Sequence, residues 1–298
     1  MKRQPEYSRT GELMAVQRGL ESCHPQASRL FSDPLAREFV SRRWRLTLSA
    51  ARLGVVRRVV EALYDLRAGP GPRASAVART RLIDDVIVEA CATRSQLVIV
   101  GAGFDARAQR LPALGGCVVF EVDRFDTQAL KRLRLDRLAA SPAARVTFVA
   151  ADLEHDDLAR ALREAGYDER RSSIFLWEGV TQYLTAGAVD ATLAAIRRLA
   201  APGSMLVFTY VDRAALAAGA AAFPEAARWL DGVSKRGEPS IFGLDPDGLG
   251  DYLDGRGFAL ESDLSTAQAG ERYFPPRDRR ERGSSLYRVA TATVPGMA

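Results

Sequence analysis

Histidine is nearly absent from this chain: His24 and His155 are the only two in 298 residues. A histidine-rich metal centre is thereby excluded. Cysteine is scarce as well. Cys23, Cys91 and Cys117 are odd in number and lack metal-ligand spacing, which points to a reducing compartment and to thiols without a special role. No apolar run approaches the length that spans a bilayer, and the opening Met1-Lys-Arg-Gln-Pro-Glu-Tyr7 lacks the apolar stretch of a secretory leader. A soluble, cytoplasmic protein is expected. There is no strong charge excess either: 42 basic residues face 37 acidic ones, for a net charge of +5. Such a balance permits weak attraction to anions but does not imply general nucleic-acid binding.

What is present is enough apolar material for a sizeable core, 47% of residues, in a chain long enough for one large domain or two small ones. Its apolar runs form a series. Strands are expected at 96–100, 117–122, 145–150, 173–177 and 204–210, with helix-like segments at 126–138, 158–165 and 188–199 between them. Alternation of this kind marks a parallel sheet with helices on both faces. Two later strands, 258–264 and 286–294, have no convincing helix between them and are expected to form an antiparallel hairpin at the sheet edge. Ahead of the sheet lies a long helical region, broken at Ser32-Asp-Pro34 and at Ala68-Gly-Pro-Gly-Pro72. The domain expectation is a helical cap over 1–92, integrated with a core over 93–298, and a lid insertion at about 213–243. Insertions at the carboxyl end of a strand choose substrates in such folds. The lid's Phe223 and Trp229 are expected mainly to pack it onto the sheet.

The most informative segment is Gln96-Leu-Val-Ile-Val-Gly-Ala-Gly-Phe-Asp-Ala-Arg107, followed at the next strand end by Phe120-Glu-Val-Asp123. A buried strand, a glycine turn and an acidic residue closing the second strand describe a nucleotide crevice. Gly101-Ala-Gly103-Phe-Asp-Ala106 fits the glycine fingerprint of dinucleotide sites, but Asp105 would place a carboxylate where a pyrophosphate must sit. S-adenosylmethionine carries no phosphate. Its sulfonium and ammonium charges make acidic residues near this turn tolerable or useful.

In order and spacing, several further segments resemble one family. They are Ala15-Val-Gln-Arg18, Ser32-Asp-Pro-Leu35, Ala78-Arg-Thr-Arg-Leu-Ile-Asp-Asp85, Val100-Gly-Ala-Gly-Phe-Asp-Ala-Arg107, Arg110-Leu111, Ala151-Asp-Leu153, Trp177-Glu-Gly-Val-Thr-Gln-Tyr-Leu184, Gly237-Glu-Pro239 and Phe242-Gly-Leu-Asp-Pro246. Together they resemble the leucine carboxyl methyltransferase family, in particular its bacterial branch that includes polyketide O-methyltransferases. The resemblance implies an α/β class I methyltransferase (Rossmann-like) fold, a seven-stranded, mostly parallel sheet with an N-terminal helical cap, and S-adenosyl-L-methionine as cofactor. Ala106 and Gln109 depart from the commonest family form, which frequently has threonine and an aromatic residue there.

Carried over residue by residue, the resemblance implies that Gly101, with Gly103 in the same turn, approaches the methionine part of the cofactor. Asp123 would accept from both ribose hydroxyls, Asp152 from the adenine amino group, and the Leu153 amide would face a ring nitrogen. A helix N-cap is the competing reading of Asp152. Arg79 would pair with the cofactor carboxylate, with Arg18 as a second contact and Arg81 as an alternative to Arg79. Glu178 would face the ammonium group or line the acceptor pocket. Glu178, Tyr183, Tyr210 and Asp212 are the acceptor-side candidates near the strand ends.

A methyl sulfonium is already electrophilic, so alignment of the acceptor supplies most of what catalysis needs, roughly 7–11 kcal/mol at best. A carboxylate attacks unaided, whereas a phenol or alcohol needs a base. Scarce histidine therefore favours an acid, free or carrier-bound and of natural-product or peptide type, with a phenol or alcohol as the alternative. A nicotinamide oxidoreductase would use the same first two strands but gives no reason for Asp152 or Glu178. A non-catalytic nucleotide-binding module would leave the acceptor side blocked.

One more feature stands apart. Arg42, Arg43, Arg45, Arg52, Arg57, Arg58 and Arg67 crowd the second helical block among Leu46, Leu48, Leu53, Val55, Val56, Val59 and Val60. The plain expectation is a solvated basic face over an apolar packing face. The sharper one is docking of an acidic partner or substrate.

Overall fold

The structure is a computed structural model describing residues 9–69, 71–138, 142–235, 237–274 and 283–296. Met1–Tyr7 and Pro70, which entered the sequence reading, lie outside them. The N-terminal region expected as a cap holds α1 (Arg9–Ser22), α2 (Arg42–Ala50), α3 (Gly54–Ala68) and α4 (Pro72–Ala90). The chain reverses between α3 and α4 through Gly69 and Gly71, both at positive φ, and Pro72 opens α4 where its missing N–H costs nothing.

Strand and helix then alternate: β1 (Gln96–Val100), α5 (Arg107–Arg110), β2 (Val118–Asp123), α6 (Phe125–Leu135), β3 (Arg145–Ala150), α7 (Leu158–Glu164), β4 (Ser173–Trp177), α8 (Ala186–Leu199) and β5 (Met205–Val211). The lid follows as α9 (Arg213–Ala218) and α10 (Ala226–Ser234). The chain ends with α11 (Leu249–Asp254), β6 (Ala259–Ser265), α12 (Thr266–Tyr273) and β7 (Tyr287–Thr293).

The seven strands form one sheet in the order β3-β2-β1-β4-β5-β7-β6, with β7 alone antiparallel to its neighbours. Because side chains alternate along each strand, the sheet sorts its residues into two cores. Val98, Val100, Phe120, Phe175, Trp177 and Phe208 pack on one face. Leu97, Ile99, Val119, Ile174, Leu176 and Val207 pack on the other, against Ile83 and Ile87 of α4. The last helix of the cap is thus part of the sheet's own core.

The expected antiparallel pair lies at the sheet edge, with one correction to its connection and one detail of order that the sequence did not specify. The β6–β7 pair is antiparallel, but α12 lies between the strands, and β7 is inserted between β5 and β6 instead of following at the edge. The missed helix has a local cause: Ser265 and Gln268 form a reciprocal capping box that starts it. Among the described residues no helix is long and apolar enough to cross a membrane.

Candidate functional site

Parallel strands deliver their carboxyl ends to one edge, so the loops after β3, β2, β1 and β4 fan out side by side in that spatial order. Two backbone bonds extend the ladder past the strand ends and hold the loops in line: Ala102 N–H to the Val122 carbonyl and Ala151 N–H to the Asp123 carbonyl. Above this edge lies a cavity of about 1220 Å³. That exceeds the roughly 300–1,000 Å³ usual for one small ligand, which leaves room for a donor and an acceptor together.

Along its floor the lining residues follow the strand order: Asp152 and Leu153 after β3, Asp123 on β2, Gly101 and Gly103 after β1, and Glu178 after β4. With strands about 4.8 Å apart, three steps span about 14 Å, the length of an extended nucleoside bearing an amino-acid tail. Gly101 has φ +70°, and a Cβ there would meet Val180 Cγ2 at 2.4 Å, so only glycine fits both the turn and its neighbour. Gly103 N–H donates to Asp123 Oδ2 at 2.5 Å, and Arg124 N–H donates to Oδ1 at 2.7 Å. These two donors fix the carboxylate while each oxygen keeps a second lone pair. Burial still leaves the Asp123 carboxyl raised above its ordinary pKa, with both amides opposing.

The sequence left Asp152 between ligand contact and helix cap. The cap of α7 is Asp157, whose carboxylate accepts from Ala159 and Arg160 N–H. Asp152 instead accepts from Glu154 N–H at 3.0 Å and stays at the cavity wall.

At the β4 end the charges form a network that the sequence did not disclose. Arg107 Nε donates to Asp84 Oδ1 at 2.7 Å, and its Nη1 reaches both Asp105 and Glu178 Oε2, the latter at 2.7 Å. Glu178 Oε1 accepts from Arg79 Nε at 2.7 Å, and Arg110 grips Asp84 with both Nη atoms. Three arginines thus face three carboxylates and cancel. Burial works to raise the Glu178 carboxyl, but Arg107 and then Arg79 outweigh it and hold it below the ordinary value. At Asp105 burial is likewise overcome, chiefly by Arg107, and its pKa falls to about 2. The carboxylate read from sequence as incompatible with pyrophosphate is therefore firmly ionised.

Arg79 lines the cavity, stacked 4.9 Å over the Tyr287 ring. Arg81, its alternative, turns away to Asp85 and the Leu30 carbonyl and does not line the cavity. Arg18 is at the wall but is committed: Nε to Asp33 at 2.8 Å and Nη2 to the Phe104 carbonyl at 2.5 Å, pinning the cap to the glycine turn.

Tyr183 also lines the cavity, its phenol pushed up to about 12, first by burial and then by Tyr287. Tyr210 requires a correction. It does not line the cavity; its side chain joins the core on the opposite sheet face, and its hydroxyl donates to Asp263 Oδ2 at 2.8 Å. One residue of strand phase decides this. On β5 it is Thr209 that faces the site, accepting Gly179 N–H and bonding the Tyr287 hydroxyl at 3.1 Å. Asp212 likewise caps α9 and is not at the wall. Tyr287, missed from sequence, reaches the site from β7, and no local signal announces a contact made over so long a separation.

The other half of the cavity is built from the cap and the lid. Trp44 and Thr47 of α2, Val60, Leu63 and Tyr64 of α3, and Trp229 of α10 line it. Trp229 packs edge-on to Tyr287 at 6.3 Å, while Phe223 packs beneath it with Val211 and Leu286. The lid returns to the floor through Ile241 and Phe242 N–H, both donating to the Gln182 carbonyl.

The floor thus follows the strand order, with Asp123 closing β2 and the Arg79–Glu178 ion pair at the end of β4. The family model for leucine carboxyl methyltransferase matches residues 11–197. The chain belongs to the leucine carboxyl methyltransferase family. Among its relatives, a Mycolicibacterium paratuberculosis protein named "Putative S-adenosyl-L-methionine-dependent methyltransferase" is 35% identical over 84% of this chain and 91% of its own length. A Mycobacterium avium protein of the same name is 38% identical over 70% of this chain and 67% of its own length, and a Mycolicibacterium gilvum one is 37% identical over 68% and 65%. The matched stretch thus spans about two thirds of the length of the latter two. Among solved structures, a DUF574 family protein from Streptomyces avermitilis shares the fold with a TM-score of 0.60, at 16% identity, over 98% of this chain and 99% of its own.

Proposed function

We propose that this protein transfers the methyl group of S-adenosylmethionine to a carboxylate oxygen of a bulky, largely apolar acid. Its family makes the coarser half plain: the protein is an S-adenosylmethionine-dependent methyltransferase. The residues present fit that cofactor. The floor offers carboxylates with spare lone pairs for a ribose and an adenine, the cation at the glycine turn, Arg18, is already taken by Asp33 and the Phe104 carbonyl, and Asp105 and Glu178 are both ionised where a positively charged tail would lie.

In this reading Asp123 holds the ribose, Asp152 and the Leu153 amide receive the adenine, and the Arg79–Glu178 pair takes the amino-acid tail. When bound, the cofactor supplies an electrophilic methyl group. The chain's own residues then have two tasks, to align the acceptor oxygen and to exclude water. The aromatic and aliphatic wall from α2, α3 and α10 suits both.

The observation that carries the carboxylate is that the base candidates at the β4 end of the cavity, Glu178 and Tyr183, are both disabled and that no histidine lines it among the described residues. Neither histidine lines the cavity; His24 is bonded to Glu61 at 2.8 Å and His155 is exposed. Glu178 is clamped by two arginines with its pKa lowered, and Tyr183 is pushed up to about 12 and so stays protonated. An acceptor that arrives ionised needs none of them. Labelled methyl transfer into a panel of carboxylic acids and phenols tests this. Base-labile label in the product is the expected ester; base-stable label would overturn the reading in favour of an ether.

A further inference from the structure

The block from 41 to 67 contains seven arginines and two acidic residues, a balance of +5, so the rest of the chain, with 35 of each sign, is neutral. The structure shows where that charge goes. Glu61 is buried against His24 and Arg57, and Asp65 is taken by Arg73. Arg42, Arg43, Arg52, Arg58 and Arg67 are exposed and have no acidic partner among the described residues. Elsewhere on the surface the exposed cations Arg160, Arg163, Arg170 and Lys235 each meet a carboxylate, whereas Arg124, Arg132, Arg145 and Arg197 are exposed with no ion pair among the described residues; what sets the α2–α3 block apart is that five such arginines crowd one short stretch.

The interleaved apolar residues turn inward only in part, with Val56 and Val60 half-buried and Val60 packed against the core beneath the N-terminal helices. Leu48 is buried, but Leu46, Leu53, Val55, Val59, Leu63 and Leu66 are 49–76% exposed. With about 100° of rotation per residue, Val55, Val59, Leu63 and Leu66 form one stripe along α3, with Arg58 and Arg67 about 40° or more beyond its two edges. The stripe adjoins the cavity: Leu63 and Arg67 belong to both, and Arg228 of the lid adds another exposed cation at the same rim. A contiguous apolar strip with unpaired charges on its flanks marks an interaction surface.

We infer that the α2–α3 face is a docking surface for an acidic protein that presents an apolar ridge at the mouth of the cavity. Charge complementarity selects the occupant. A second copy would set arginine against arginine across a two-fold axis, where like charges repel. A membrane surface is disfavoured because the aromatic residues that anchor at headgroups, Trp44 and Tyr64 in this block, line the cavity. Arginine is enriched at protein interfaces, where lysine is depleted, and this block holds seven arginines and no lysine. That the partner delivers the methyl acceptor rests on the proposed function; the docking itself does not.

Binding is therefore read without turnover. The probe is a fluorescein-labelled helical peptide with leucine on one face and glutamate on both flanks, followed by anisotropy with the full chain. Controls are a scrambled peptide of the same composition and phosphatidylserine–phosphatidylcholine vesicles. The helical peptide is expected to bind the wild type in preference to the scrambled one and to weaken as salt rises. Arg52→Glu/Arg58→Glu and Val55→Ser/Val59→Ser should each lower that affinity at least about tenfold. Both pairs lie outside the cavity wall, so the melting shift caused by S-adenosylmethionine should be unchanged, which separates loss of docking from loss of fold or of cofactor. Equal binding of the scrambled peptide, preference for the vesicles, or a dimer dissolved by Val55→Ser/Val59→Ser would each overturn the inference.

Discussion

The two halves of the cavity handle charge in opposite ways. On the floor, Arg79, Arg107 and Arg110 are matched one for one by Glu178, Asp105 and Asp84, with side chains at most 14% exposed. On the rim formed by α2, α3 and α10, Arg43, Arg67 and Arg228 stand in solvent without acidic partners among the described residues. A buried charge must be paired because desolvation costs several kcal/mol per ion, whereas an exposed one keeps its water and remains available. The floor is thereby committed to a fixed ligand geometry, and the rim is left able to meet something else.

Substitutions can break or sharpen this contrast. Asp123→Ala should have the largest effect, abolishing the rise in melting temperature caused by S-adenosylmethionine; NAD should cause no rise in the wild type. A retained shift would remove the ribose role. Arg107→Met should cost about 3–5 kcal/mol of stability in urea unfolding, because it strands buried carboxylates. A loss below about 1 kcal/mol would mean that the network is not what holds the floor. Gly101→Ala should destabilise by about 1–2 kcal/mol from the left-handed φ alone, more with the Val180 clash.

Acid should act on the floor first. Asp105 has a folded pKa of about 2 against 3.8 unfolded, and Glu178 is also lowered. Their stabilisation is therefore complete above the unfolded values and is lost as pH falls from about 5 towards 2. Urea midpoints across that window should drop less steeply for Asp105→Asn than for the wild type. The smallest effect is expected at the rim. Arg58→Ala should change stability by less than about 0.5 kcal/mol and leave the cofactor shift intact; a larger loss would show that the rim is structural.

The sheet was legible because buried parallel strands are short apolar runs. Three expected strands, at 96–100, 145–150 and 173–177, coincide with β1, β3 and β4, and the other four are displaced by one residue at one or both ends. The β6–β7 connection was misread although its capping box, Ser265-Thr-Ala-Gln268, was present in the sequence. At the site, Asp123, Asp152, Glu178 and the two glycines could be located along the chain because each lies at, or within three residues of, the carboxyl end of a strand. Tyr210 was misplaced because strand phase at β5 could not be fixed from an apolar run with no polar alternation. Arg107 was visible in the motif but its role was not, since its partners Asp84 and Glu178 lie 23 and 71 residues away.

The succession of strands along the chain, the glycine turn and the acidic residues at the strand ends followed from local pattern alone, because burial and backbone sterics act over a few neighbouring residues. Tertiary structure alone decided that Glu178 is clamped by two arginines, that Tyr287 of the last strand replaces Tyr210 at the site, and that Val55, Val59, Leu63 and Leu66 of α3 face water. Those outcomes depend on which distant segments meet, and pairing, desolvation and exposure are settled only when they do.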